Sequence, residues 1–167
     1  MLRGIRRFLV HLCSGPWLVR RHFSQAAMAR IEKAIGESEH QHSGQVRFVV
    51  EAGLHPALLL SGVAPRERAL DVFSSMRVWD TEQNNGVLIY LLMADHDVEI
   101  VADRGLSRRV TADVWEQICH EMEQRFAVGE FEAGVLHGVQ RISAVMQQHF
   151  PADEHQKNEL PDTPVVI

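Results

Sequence analysis

Asn84–Gly105, NNGVLIYLLMADHDVEIVADRG, is the stretch on which the reading of the fold turns. Val87–Ala94 is an almost unbroken apolar run, long enough for a strand buried on both faces, and Val98–Ala102 is a second short run rich in β-branched residues. Only Asp95, His96 and Asp97 separate them. Such a connection predicts a tight antiparallel hairpin, in which Asp or His tolerates the left-handed backbone that a turn needs. Whatever precedes the first strand then lies beside whatever follows the second. Asn84 and Asn85 are brought next to Asp103 and Gly105, so two amides and a carboxylate converge at one end of a sheet.

Working outward, Ser24 can cap a helix whose Ala27, Ile31, Ala34 and Ile35 repeat at helical spacing. Gln45–Glu51 reads as a strand with Val46, Phe48 and Val50 on one face. Pro65 suits the first turn of a second helix with Ala69, Val72, Phe73, Met76 and Trp79 inward and Asp80 at its end. After the hairpin, Thr111 caps a helix that buries Trp115, Ile118, Cys119, Met122 and Phe126. A last helix, from Phe131 past Met146, stops at Pro151. The order helix, strand, helix, strand, strand, helix, helix predicts a right-handed parallel crossover plus an antiparallel hairpin. That is an α/β fold, an α/β/α sandwich on a small mixed sheet.

The 167 residues suffice for one domain, expected over residues 24–151, between a basic arm at 1–23 and a disordered tail at 152–167. Cys13 and Cys119 make no disulfide framework. The net charge of −5 conceals an asymmetry: residues 1–30 hold six arginines and no acid, leaving 11 basic and 22 acidic side chains on the rest. So acidic a body excludes a nucleic-acid partner. The arm, with Arg3, Arg6 and Arg7 followed by Phe8, Leu9, Leu12, Trp17 and Leu18, admits three readings: a helix packed on the domain, a helix on an anionic membrane surface or membrane protein, or a cleaved leader.

Catalytic signatures fail in context. Cys119 and Arg125 have the spacing of a cysteine phosphatase but fall mid-helix beside Glu121 and Glu123, and LLMADHDVE has Glu99 where a haloacid-type phosphatase has Thr or Val. Glu39, His40, His42 and His55 lack paired helical spacing for zinc, and the histidines read as solvated loop groups. An oxygen-rich set remains. Asp80, Asn84, Asn85, Asp103 and Asp113 flank the hairpin end and can supply several of the six to eight oxygens that calcium takes.

NNGVLIYLL, VEIVADRGL, a Thr-x-Asp helix start at Thr111 and GEFEAGV together resemble the TPM domain, over roughly Ile31–Gln148. That family includes bacterial proteins and thylakoid acid-phosphatase proteins linked to photosystem II repair. The resemblance implies the same α/β/α sandwich, divalent-metal binding and phosphatase activity; the catalytic candidates, Asp103 and Arg104, are this chain's own residues rather than ones carried over from the family. The chain departs from the family where Asp103-Arg104-Gly105-Leu106 replaces the common Gly-Tyr-Gly-Leu, and where WDTEQ precedes the NNG motif. The expected protein is bacterial, cytoplasmic or peripheral on the inner membrane. It is expected to be an accessory protein binding calcium or another divalent cation at the hairpin end. The alternatives are a weak metal-dependent phosphomonoesterase and a docking module without catalysis.

Overall fold

Two strands without a single exposed residue set the architecture. The computed structural model describes residues 2–152 and 157–167. In chain order the elements are α1 (Leu2–Cys13), α2 (Pro16–His22), α3 (Gln25–Glu39), β1 (Gln45–Glu51), α4 (Pro56–Leu60) and α5 (Pro65–Ser75). They continue with β2 (Gly86–Leu92), β3 (Asp97–Ala102), α6 (Arg104–Ser107), α7 (Ala112–Ala127), α8 (Phe131–His149) and β4 (Val165–Val166). β1 and β2 pair in parallel from Gln45↔Gly86 to Glu51↔Leu92, and both are buried throughout. Parallel neighbours need a crossover, which α4 and α5 supply. β2 and β3 form the expected antiparallel hairpin, with His96 left-handed at its tip (φ 54°). The sheet order is β3-β2-β1-β4, a mixed open sheet with helices on both faces. The period of two divides the core: Val46, Phe48, Val50, Ile89 and Leu91 pack with α3, α7 and α8, and Val49, Leu88, Tyr90 and Leu92 with α5. This is the α/β/α sandwich that the element order predicts.

Several local expectations are corrected. α5 stops at Ser75, and Arg77 adopts a left-handed backbone (φ 53°) that redirects the chain toward β2. Trp79 therefore points outward, 47% exposed, and Asp80 lies in a loop rather than on a helix end. Thr111 occupies the cap position of α7 without a side-chain hydrogen bond. α4 is an additional helix, started by Pro56 and by His55 Nδ1 accepting from the Ala57 N–H.

The tail is not disordered where it is described. Gln45 Oε1 accepts from the N–H groups of Glu159 (2.7 Å) and Leu160 (2.9 Å), and Arg47 donates to the Pro161 carbonyl. Leu160 is buried, and Val165 and Val166 pair with Val49 and Val50. Residues 153–156 of the expected tail lie outside the described residues. The arm is packed. Arg7 donates to both carboxylate oxygens of Asp95 at the hairpin tip, and His11 Nε2 lies 3.0 Å from Asp95 Oδ1. His11 Nδ1 accepts from the Leu54 N–H (2.9 Å), which fixes its proton on Nε2.

His42, expected in solvent, and Glu39 are both buried. Glu39 Oε1 accepts from the Val46 N–H at 2.7 Å, and burial pushes its carboxyl up to about 8. Burial pushes the His42 ring down to about 4. The folded state thus holds a proton on Glu39 that the unfolded chain releases near 4.5, so this group's contribution falls as pH rises from 4.5 to about 8. His42 acts in the opposite sense, and its contribution falls as pH drops from 6.5 toward 4. Urea unfolding at about pH 5 and about pH 8 is expected to show a stability loss at the higher pH that shrinks in Glu39→Gln. An unchanged pH dependence in the variant would refute the assignment.

Candidate functional site

The end of the hairpin is built by a short turn and a short helix that close on each other. Thr81 starts the turn: its carbonyl accepts from the Asn84 N–H (3.1 Å) and its hydroxyl from the Asn85 N–H (3.0 Å). Asn84 is left-handed (φ 52°), a conformation Asn adopts more readily than most residues. Its carbonyl accepts from the Gly105 N–H at 2.9 Å, and its side-chain Oδ1 accepts from Arg104 Nε at 2.7 Å. On the other strand, the Asp103 N–H reaches the Gly86 carbonyl (2.9 Å) and extends the ladder by one step. Asp103 then caps α6, with Oδ1 accepting from the Arg104 N–H at 2.7 Å. Both glycines are sterically required. A Cβ at Gly86 would collide with the Val78 carbonyl, and one at Gly105 with the carbonyls of Gln83 and Asn84.

Asn85 ties this end to the start of β1. It is fully buried, its Nδ2 donates to the Ser43 carbonyl (2.9 Å), and its own carbonyl accepts from the Gln45 N–H (3.3 Å). Two oxygens of the cluster are left over. Asn85 Oδ1 and Asp103 Oδ2 are buried and have no hydrogen-bond partner. A buried oxygen in that state costs stability unless a donor or a cation meets it.

The structure brings together Asn84, Asn85, Asp103 and Arg104, as hairpin geometry requires. Asp80 and Asp113 are exposed, in the loop after α5 and in the first turn of α7. Among the described residues, no three His, Cys, Asp or Glu side chains group in the way a metal ion needs, so the oxygens that converge are mainly amide and backbone ones. Sequence reasoning missed Thr81 and Ser43, which position Asn85. Thr81 had a local signal, a hydroxyl four residues before the amide it holds. Ser43 had none, since its carbonyl meets Asn85 through the sheet.

A model of the TPM domain matches residues 20–145 of the chain. Among solved structures, the chain is similar to the BA42 protein from the psychrophilic bacterium Bizionia argentinensis, determined by NMR: 26% identical, TM-score 0.77, covering 87% of this chain and 95% of that one. It also shares a fold with the N-terminal domain of a protein from P. gingivalis, at 20% identity and TM-score 0.61, covering 79% of this chain and 82% of that one. No curated protein matches.

Because Asn85 Nδ2 satisfies a backbone carbonyl inside the protein, Asn85→Ala should lower the unfolding free energy by about 1–3 kcal/mol. Asn84→Ala, which loses the Arg104 bond and strains a left-handed residue, should cost about 1 kcal/mol. Urea titrations measure both, and parental stability in Asn85→Ala would mean that the amide does not hold the strand end.

Proposed function

The chain belongs to the TPM domain family, and from that premise we propose that the Asn84, Asn85 and Asp103 end of its sheet binds a divalent cation, calcium by its ligand chemistry, in the service of an accessory role. The observation that carries this reading is the pair of buried oxygens without donors, Asn85 Oδ1 and Asp103 Oδ2. Calcium takes hard oxygen ligands, tolerates amide and carbonyl donors, and accepts irregular geometry. Asp80 and Asp113 are exposed on flanking segments and do not group with Asp103, so water would complete the shell. The phosphatase alternative would use the same residues: a cation held there would supply Lewis-acid polarisation of a phosphoryl oxygen, Asp103 would orient water and the exposed Arg104 would balance charge.

A second reading rests on the arm. Ile5, Leu9 and Leu12 recur along one face of α1 and are 54–58% exposed, and Trp17 of α2 is 56% exposed. Arg6, Arg20 and Arg21 are exposed on the same two helices. Arg7 and His11 meanwhile fasten α1 to the domain. Apolar side chains flanked by arginines match the interface of an anionic bilayer, so α1 and α2 would hold the domain on the inner face of a membrane. Among the described residues, no helix is long and apolar enough to cross one.

Calcium titration of the full chain, followed by amide NMR, is expected to shift Thr81–Gly86 and Asp103–Leu106 saturably, with affinity reduced at least ~10-fold in Asp103→Asn. No shift at millimolar calcium would overturn the cation reading. Metal-dependent hydrolysis of an aryl phosphate, lost in Asp103→Asn, would select the phosphatase alternative. Sedimentation with phosphatidylglycerol vesicles tests the arm. The triple variant Ile5→Ser, Leu9→Ser, Leu12→Ser should lose most of its binding without loss of stability, and equal binding would exclude α1 as the anchor.

A further inference from the structure

β3 is the longer of the two edge strands of the sheet, and it does not lie against solvent alone. A cleft of about 700 Å³ runs beside it, walled by Arg66 of α5 on one side and by Trp115, Cys119 and Glu123 of α7 on the other. The cleft is long: α7 flanks it from Ala112 to Glu123, roughly 16 Å at helical rise, and β3 from Asp97 to Ala102, roughly 17 Å at strand rise. The Asp103 N–H bonds to the Gly86 carbonyl of β2, and pairing alternates along an antiparallel ladder. Val98, Ile100 and Ala102 therefore turn their N–H and C=O groups outward, into this cleft, where the Cys119 thiol of α7 already meets the Ile100 backbone.

Its walls carry groups that want partners. Trp115 is 8% exposed, and its indole Nε1 is buried with no acceptor. Asp97 Oδ1 is likewise buried with no donor. Burial raises the Asp97 carboxyl to about 6, with Glu99, Glu123 and Asp95 adding to the push and Arg7 opposing it. Glu99 pairs with Arg66 at 3.2 Å, and His120 is turned to Gln124. The excess charge in the cleft is therefore negative, from Asp97, Glu116 and Glu123. Arg66 Nη1 also donates to the Ile100 carbonyl at 2.6 Å, filling by a half-exposed side chain one position that an added strand's N–H would take.

From this geometry we infer that the cleft along β3 receives an extended peptide segment of a partner protein, added as a fifth strand and carrying a lysine or arginine that enters between Asp97 and Glu123. Main-chain bonds to Val98 and Ala102 hold the segment, an acceptor on it meets the Trp115 indole, and Arg66 yields the Ile100 carbonyl. The acidic lining sets the sign of the peptide's charge. The inference is independent of the cation reading, and its failure would leave that reading intact.

The test uses the full chain, ¹⁵N-labelled, with a blocked hexapeptide of alternating valine and lysine, a second of alternating valine and glutamate, and spermidine as a polycation without a backbone. The lysine peptide is expected to shift the Trp115 indole and the Val98 and Ala102 amides and to slow their hydrogen exchange, while the glutamate peptide and spermidine leave exchange unchanged. Asp97→Asn with Glu123→Gln should weaken the lysine peptide ~5-fold or more. Arg66→Gln should tighten it, because a competitor for the edge is gone. Silence at Trp115 and β3 with millimolar lysine peptide would overturn the inference, as would equal protection by spermidine or unchanged affinity in the doubly amidated variant.

Discussion

The parallel pairing of β1 with β2 is the constraint from which the rest follows. Seven residues on each strand are buried on both faces, so neither strand has a side to turn to water. Helices must cover the sheet twice, and the chain supplies α3, α7 and α8 to one face and α4 and α5 to the other. The buried pair also needs both of its long edges managed. β3 lines β2 over six residue pairs, whereas β4 covers β1 over only two.

The polar residues in this buried pair show how it is managed. Gln45 and Arg47 bind the main chain of the returning tail, and Glu51 accepts from Tyr90 and from Arg68 of α5. Each of these groups exchanges water for an internal partner, as burial demands. Among the described residues, partners run short at the turn, at Asn85 and Asp103, and along the edge, at Asp97 and Trp115. Both lie where the sheet ends, one at a strand terminus and one along an unpaired strand, and those are positions at which a folded chain can still offer bonds to another molecule.

The hairpin, the crossover and the meeting of Asn84, Asn85 and Asp103 were legible because they depend on local periodicity and on the geometry of antiparallel pairing. What was not legible depends on distant partners. The tail reads as polar and proline-rich, and its order comes from Gln45 and Arg47, far away in sequence. Trp79 sits in phase with the helical stripe, and one left-handed residue, Arg77, turns it outward. Glu39 and His42 look like loop residues, and they are buried once the segments around Val46 and Phe150 close over them. The cleft beside β3 requires knowing which strand is the edge, a property of sheet order that no single segment carries.

The two-residue β4 has a kinetic consequence. Its partners Val49 and Val50 lie near the start of the domain, so the pair closes a loop that spans most of the chain. Contacts of such separation form late, because chain entropy must be lost before any bond is gained. Until then the outer edge of β1, a strand of seven buried and mostly apolar residues, stands open. An open edge of that kind is a template for pairing with a second chain. The few hydrogen bonds that dock the tail thus do more than add to native stability: once made, they close the edge by which the folding molecule could associate.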